Sequence, residues 1–356
     1  MNASWQKHTL RFRFEAGTSR GVLTTKDTWF LKIGSSARPG IYGLGECGPL
    51  KGLSPDDTPD IEAKLDAVCH KLSNHAQQSW DTRYLLEEFD LYHFPSILFG
   101  LETALLDLQN GGRRILFQSD FSKGDNGIAI NGLVWMGDES FMRQQLEDKI
   151  AQGYTCIKLK IGALDFDTEI RLIESIRKRF DASKISIRVD ANGAFSPTEA
   201  LEKLTTLAKY TLHSIEQPIR AGQPEAMHEL CMRSPLAIAL DEELIGICSY
   251  TEKQQLLQRI QPPYIILKPT LVGGMAMTQE WINAARQAQT GWWITSALES
   301  NIGLNAISQY TASLAPELPQ GLGTGQLYHN NIPSPLSIEK GFLYYRSDLN
   351  WDLSGL

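Results

Sequence analysis

No two cysteines of this chain stand as C-x-x-C, and no histidines as H-x-x-x-H or H-E-x-x-H. Cys47, Cys69, Cys156, Cys231 and Cys248 are odd in number and widely scattered. These absences argue against a zinc site or a disulfide frame and point to reduced thiols in a cytoplasmic protein. A Lys/Arg tract is missing too, and the formal charge is −7, so nucleic acid and anionic membrane surfaces are poor partners. No apolar run approaches the length of a membrane span. The residues from Met1 to His8 lack an apolar stretch, so no secretory leader is expected. What remains is a chain of 356 residues, 42% hydrophobic and 21% charged, with enough apolar material for an α/β barrel and an added domain.

Residues 1–125 read as strands followed by helices, an α+β domain. Thr9–Phe14, Trp29–Ile33 and Ile41–Glu46 alternate as a β-meander, with Gly/Ser/Pro clusters between them. The Gly/Pro stretch 48–55 fits a connector or a lid, and local sequence does not choose between them. Helices are expected from Thr58-Pro59, where a proline and acids mark a first turn, and over 95–110, ended by Gly111-Gly112.

From 126 to 325 the pattern changes. Short apolar strands at 128–131, 156–160, 185–190, 212–216, 237–241, 264–268 and 292–295 alternate with amphipathic helices, and a last short strand is expected at 321–323. Repeated β–α units imply a parallel sheet, and eight strands suggest a TIM-like (β/α)7β barrel. Residues 326–356 are expected to run back over the first domain.

The charged residues fall in phase with these strands. Lys158 and Lys160 share one face of the second, since side chains at i and i+2 point the same way. Two adjacent ammonium groups in a buried strand should each favour loss of a proton, which suits a catalytic base. Asp190, Glu216, Asp241 and Lys268 end the third to sixth strands, about 25–30 residues apart, or one β–α unit each. In a parallel barrel that end is the active-site face. Three converging carboxylates without histidine or thiolate favour a hard cation, Mg2+ or alternatively Mn2+. In an open sheet the second and sixth strands would lie about 19 Å apart, at about 4.8 Å per step. In a closed barrel Lys160 and Lys268 would instead flank one small carboxylate substrate. Such a pair could move an α-proton while a divalent ion stabilises the enediolate, the chemistry that general enzymology assigns to enolase-type sites.

The order Lys158-Leu159-Lys160, Asp190, Glu216, Asp241, Lys268 resembles the muconate lactonizing subgroup of the enolase superfamily, as do Val189-Asp190-Ala191-Asn192-Gly193 and Glu216-Gln217-Pro218. The resemblance spans nearly the whole chain. It implies a capping domain on a (β/α)7β barrel, Lys160 as acid/base, Lys158 as its partner, Lys268 opposite, and Asp190, Glu216 and Asp241 as metal ligands. Within the subgroup, Phe99-Gly100-Leu101-Glu102-Thr103-Ala104, the run 267–274 and Thr295-Ser296-Ala297-Leu298-Glu299-Ser300 are most similar to members that eliminate water from a cyclohexadiene carboxylate in menaquinone biosynthesis. There Lys160 would take the α-proton and then protonate the departing hydroxide.

By the same resemblance Asn192, Thr295, Ser296, Glu299, Ser300, Gly321 and Gly323 are expected around the substrate. Ser300 could equally cap the helix that follows, and 321–325 could be a plain turn. That stretch lacks the D-x-D with which dipeptide epimerases hold a substrate ammonium, which argues against an epimerase. A racemase/epimerase or cycloisomerase of the same superfamily, and a non-catalytic carboxylate-binding barrel, remain the alternatives.

Overall fold

A computed structural model describes residues 1–18, 21–35, 38–74 and 80–356, so the turn clusters at 19–20 and 36–37 lie outside the described residues. Three long antiparallel strands open the chain: β1 (Asn2–Thr18), β2 (Gly21–Ser35) and β3 (Arg38–Cys47), paired in that order. Three helices pack on them: α1 (Ile61–Asn74), α2 (Thr82–Glu88) and α3 (Pro95–Gln109). The apolar stripe Ile61, Leu65, Val68 and Leu72 of α1 joins Ile97, Leu101, Ala104 and Leu108 of α3 in one buried cluster with Leu31 and Ile33 of β2. Gly43 and Gly45 let β3 lie close against α3, since a Cβ on either would overlap the carbonyl of Ala104 or Gly100. The short helices α2 and α4 (Asp120–Lys123) carry too little apolar periodicity to stand out in sequence.

After β4 (Ile128–Ala129), seven parallel strands follow: β5 (Gly132–Val134), β6 (Cys156–Lys160), β7 (Ser186–Asp190), β8 (Ser214–Glu216), β9 (Ile238–Leu240), β10 (Tyr264–Leu267) and β11 (Gly291–Ile294). They neighbour one another strictly in chain order. Helices α5 (Glu139–Ala151), α6 (Phe166–Arg177), α7 (Pro197–Ala208), α8 (Pro224–Arg233) and α9 (Tyr250–Ile260) return the chain between them, and α12 (Asn301–Ser313) follows β11. The return after β10 is broken into α10 (Pro269–Val272) and α11 (Gly274–Gln287). Residues 320–321 close the barrel: Gly321 bridges Thr295 and Gln320 bridges Ile130, both in parallel. The architecture is a capped (β/α)7β barrel.

Two expectations are corrected here. The first barrel strand is 132–134, not 128–131. Ile128 and Ala129 pair antiparallel with a C-terminal hairpin, β12 (Leu336–Glu339) and β13 (Phe342–Tyr345), and the ladder to β6 begins only at Gly132 opposite Ile157. The eighth strand at 321–323 is reduced to the two bridges at 320–321. The C-terminal segment serves both domains. Its hairpin lies under the barrel, while Trp351, Leu353 and Leu356 pack with Phe30 and Leu44 of the cap.

Candidate active site

Register brings the charged strand ends together. Lys160 pairs with Asp190 across β6 and β7, and Asp190 with Glu216 across β7 and β8. Asp241 and Lys268 follow directly on β9 and β10. Lys158, Lys160, Asp190, Glu216 and Asp241 are buried, and Lys268 is nearly so.

The Lys158 ammonium lies 2.8 Å from Asp190 Oδ2 and 2.5 Å from Glu216 Oε2. Lys160 donates to Asp190 Oδ2 at 3.1 Å and to Asn192 Oδ1 at 2.7 Å. Lys268 forms an ion pair with Asp241 and stands 3.9 Å from Glu216 Oε1. Three carboxylates and three ammonium groups thus interleave. Asn192 holds its position in the left-handed region, φ 43°, which asparagine tolerates. Its backbone N–H donates to Asp190 Oδ1 at 3.0 Å, so the residue ties Lys160 to β7. Gln217 does the same between β8 and β9, its Oε1 accepting from Asp241 N at 3.1 Å.

The electrostatics overturn one expectation. Lys158 does not lose its proton easily: burial disfavours its charge, but Asp190 and Glu216 outweigh burial and raise its pKa. Burial also lowers Lys268, and Asp241 and Glu216 again reverse the sign. Burial would raise Asp190, yet Lys158 and Lys160 hold it well below the usual carboxylate range. Glu216 is pushed well above that range by burial and by its neighbour Asp190. Asp241 rises as well, through burial first and Glu242 beside it. The site is short of positive charge at Glu216 and Asp241.

The donor chemistry fits a hard divalent cation. All three candidate ligands are carboxylates, and Glu216 Oε1 is buried with no hydrogen-bond partner. Among the described residues no three Asp, Glu, His or Cys side chains meet in a ready metal-binding cluster, because the lysines bridge the carboxylates.

The strand ends open into a cavity of about 590 Å3, within the usual range for small-ligand pockets. Lys158, Lys160, Asp190, Asn192 and Lys268 line it, as do Thr295, Ser296, Gly321 and Gly323. Glu216 and Asp241 sit behind them. The cap supplies the rim through Val22 to Thr25 and through Leu50, Lys51 and Gly52, so the Gly/Pro loop 48–55 faces the cavity. Trp135 and Phe14 add an aromatic wall. Neither Trp135 nor the Thr24-Thr25 pair carries a local signal of its role, since the fold alone brings them to the mouth.

Glu299 and Ser300 are not at the cavity, which corrects their expected place beside a substrate. Both are fully buried. Glu299 accepts from Thr270 Oγ1, from Ser296 Oγ at 2.5 Å and from Ala297 N at 2.8 Å. Ser300 caps α12 through Ile302 N and donates its own hydroxyl to Glu46. Ser296 does line the cavity, but its proton is committed to Glu299, and Thr324 Oγ1 lies 2.7 Å from its oxygen.

A capped barrel with lysines on opposing strands and carboxylates between them defines a class, and comparison with known proteins agrees: a family model for enolase C-terminal domain-like proteins matches residues 141–348. Members of that superfamily depend on a divalent metal ion. The o-succinylbenzoate synthase of Desulfotalea psychrophila is 47% identical over 96% of this chain and 98% of its own length. The crystal structure of MenC from the same organism superposes with a TM-score of 0.86 at 45% identity, covering 97% of this chain and 99% of that one. The chain therefore belongs to the o-succinylbenzoate synthase family of the enolase superfamily. The L-Ala-D/L-Glu epimerase of Bacillus subtilis shares the fold, with a TM-score of 0.82 at 17% identity over 99% of this chain and 96% of that one. No described helix is long and apolar enough to cross a membrane.

Proposed function

We propose that the chain is a Mg2+-dependent lyase that dehydrates 2-succinyl-6-hydroxy-2,4-cyclohexadiene-1-carboxylate to o-succinylbenzoate in menaquinone biosynthesis. The observation that carries this reading is the placement of Lys160 and Lys268 on strands four apart in the barrel, with the three carboxylates between them. The near-full-length identity to an o-succinylbenzoate synthase supports the choice of substrate.

Asp190, Glu216 and Asp241 would hold the cation. When bound, it supplies a Lewis acid that acidifies the proton α to the substrate carboxylate. Lys160, in its neutral form, takes that proton from C1. The C6–O bond then breaks on the same face, and the Lys160 ammonium returns the proton to the leaving hydroxide as water. The ring gains a double bond and becomes aromatic. Lys268 stays charged on the other face and stabilises the enediolate. Lys158, tied to Asp190 and Glu216, fixes both carboxylates. The rim residues Leu50 and Val22 and the wall residue Trp135 keep water from the ring. The five free cysteines suit a reducing cytoplasm.

The direct test is turnover of the cyclohexadiene substrate, followed by appearance of the aromatic product. Activity should vanish with EDTA and return with added Mg2+. No product with Mg2+ present would overturn the assignment, and full activity in EDTA would overturn the metal's role.

A further inference from the structure

Asn131 is a polar residue of the cavity that the mechanism above leaves idle. It lies at the junction of β4 and β5 and is 5% exposed. It lines the same cavity as Lys160 and Thr295. Its side-chain Oδ1 is buried with no hydrogen-bond partner. A buried amide oxygen without a partner costs stability and brings nothing to folding in return. In a ligand cavity the same group has a use.

Its position says which part of a ligand it would meet. Barrel closure pairs Thr295 with Gly321, and Ile130 with Gln320. Asn131 N donates to Gln320 O at 2.9 Å. Thr295, Gly321 and Asn131 therefore stand side by side on three adjoining segments. Gly321 makes room for the Thr295 side chain, because a Cβ there would overlap Thr295 Oγ1. Ser296 on this wall has already given its proton to Glu299. The Asn131 carboxamide still has capacity to bind.

We propose that Asn131 is a substrate-positioning residue that holds the terminal carboxylate of the succinyl chain. This rests on the dehydratase reading. The ring carboxylate belongs beside the lysines and metal ligands, so the chain's far end must go to another wall, and this one carries an unfilled polar side chain. An amide turned by 180° presents Nδ2–H instead of Oδ1, which suits an anion.

The test is steady-state kinetics of Asn131→Ala, Asn131→Ser and Asn131→Asp, with thermal melts to establish folding. Ala and Ser should raise KM roughly tenfold with kcat nearly unchanged, the loss of about one charge-assisted hydrogen bond. Asn131→Asp should raise KM further, since it sets two carboxylates face to face. It should also reverse preference, binding the terminal carboxamide of o-succinylbenzoate more tightly than o-succinylbenzoate itself. That reversal reads charge, so a merely structural asparagine would not produce it. If a variant fails to fold, the wild-type protein decides, because it should bind o-succinylbenzoate roughly tenfold more tightly than the terminal carboxamide. An active wild-type enzyme with unchanged KM in the variants and no such preference overturns the role of Asn131. An inactive wild-type enzyme overturns the dehydratase reading instead.

Discussion

Glu46 of the cap accepts hydrogen bonds from both the backbone N–H and the hydroxyl of Ser300, at 2.8 and 2.5 Å. The same carboxylate takes Gly303 N at 2.8 Å and Thr28 Oγ1 at 2.8 Å. A strand of one domain thus caps the last barrel helix with a carboxylate, at the helix end where negative charge is favoured. Lys26, whose buried Nζ has no hydrogen-bond partner, draws its counter-charge from Glu46 first, then from Glu299 and Asp56. Glu46→Ala would leave the donors unpaired and Lys26 less compensated, so it should cost roughly 3–5 kcal/mol. Glu46→Gln, which keeps an acceptor oxygen, should cost less. Urea unfolding of the three proteins checks this, and identical midpoints would remove Glu46 from the account of how cap and barrel are joined.

Lys160→Ala should abolish turnover, by roughly 10²–10⁴-fold or more, while leaving the fold intact. Lys160 contributes to the cluster only its bonds to Asp190 and Asn192, and Lys158 keeps Asp190 neutralised at 2.8 Å. Circular dichroism and product formation measured together decide the point. Turnover near the wild-type rate would exclude Lys160 as the proton carrier.

Lys268 should act by charge alone. Removing the cation in Lys268→Met should cost roughly 10²–10³-fold in kcat, the usual scale for losing one electrostatic stabiliser. Lys268→Arg keeps the charge but is a poor proton carrier, and should recover a large part of that loss. A racemase that used Lys268 as its second base would behave differently. Both variants would then lose exchange of the α-proton with deuterated solvent on that face.

Much of this arrangement was legible because a parallel barrel writes its strands as short apolar runs and its active face as whatever polar residue ends each run. Asp190, Glu216, Asp241 and Lys268 all follow that rule. The failures have a common cause in pairing over distance. The run from Ile128 to Asn131 reads as one strand, yet Ile128 pairs with Leu343 and the ladder to β6 starts at Gly132. No local pattern reveals which neighbour each part will take. Glu299 is expected beside the substrate by resemblance, but Thr270, Ser296 and Ala297 hold it in the core. Glu46 and Ser300 are 254 residues apart, and nothing near either announces the other. The error at Lys158 was of a different kind. Like-charge repulsion from Lys160 favours loss of its proton, but the two carboxylates that the fold brings to its ammonium hold the proton on and outweigh burial.

The cap also carries a buried acid whose titration should be measurable. Asp56 is fully buried, and burial pushes its carboxyl from 3.8 up to about 6, although Ser96 donates to Oδ2 through both N–H and hydroxyl. The other oxygen, Oδ1, has no partner. Because the folded protein binds this proton more tightly than the unfolded chain, the stability it contributes is fully present below about pH 4 and is lost as pH rises through about 6. Asp56→Asn does not titrate, and its amide oxygen can still accept both bonds from Ser96. The stability of wild type relative to Asp56→Asn should therefore fall by on the order of 2 kcal/mol between pH 4 and pH 7.5. Carboxylates elsewhere titrate in both proteins, so their contributions cancel in the difference. Urea melts at the two pH values supply the number. A difference that stays constant with pH would mean that Asp56 is ionised throughout and that Lys26, not burial, sets its charge.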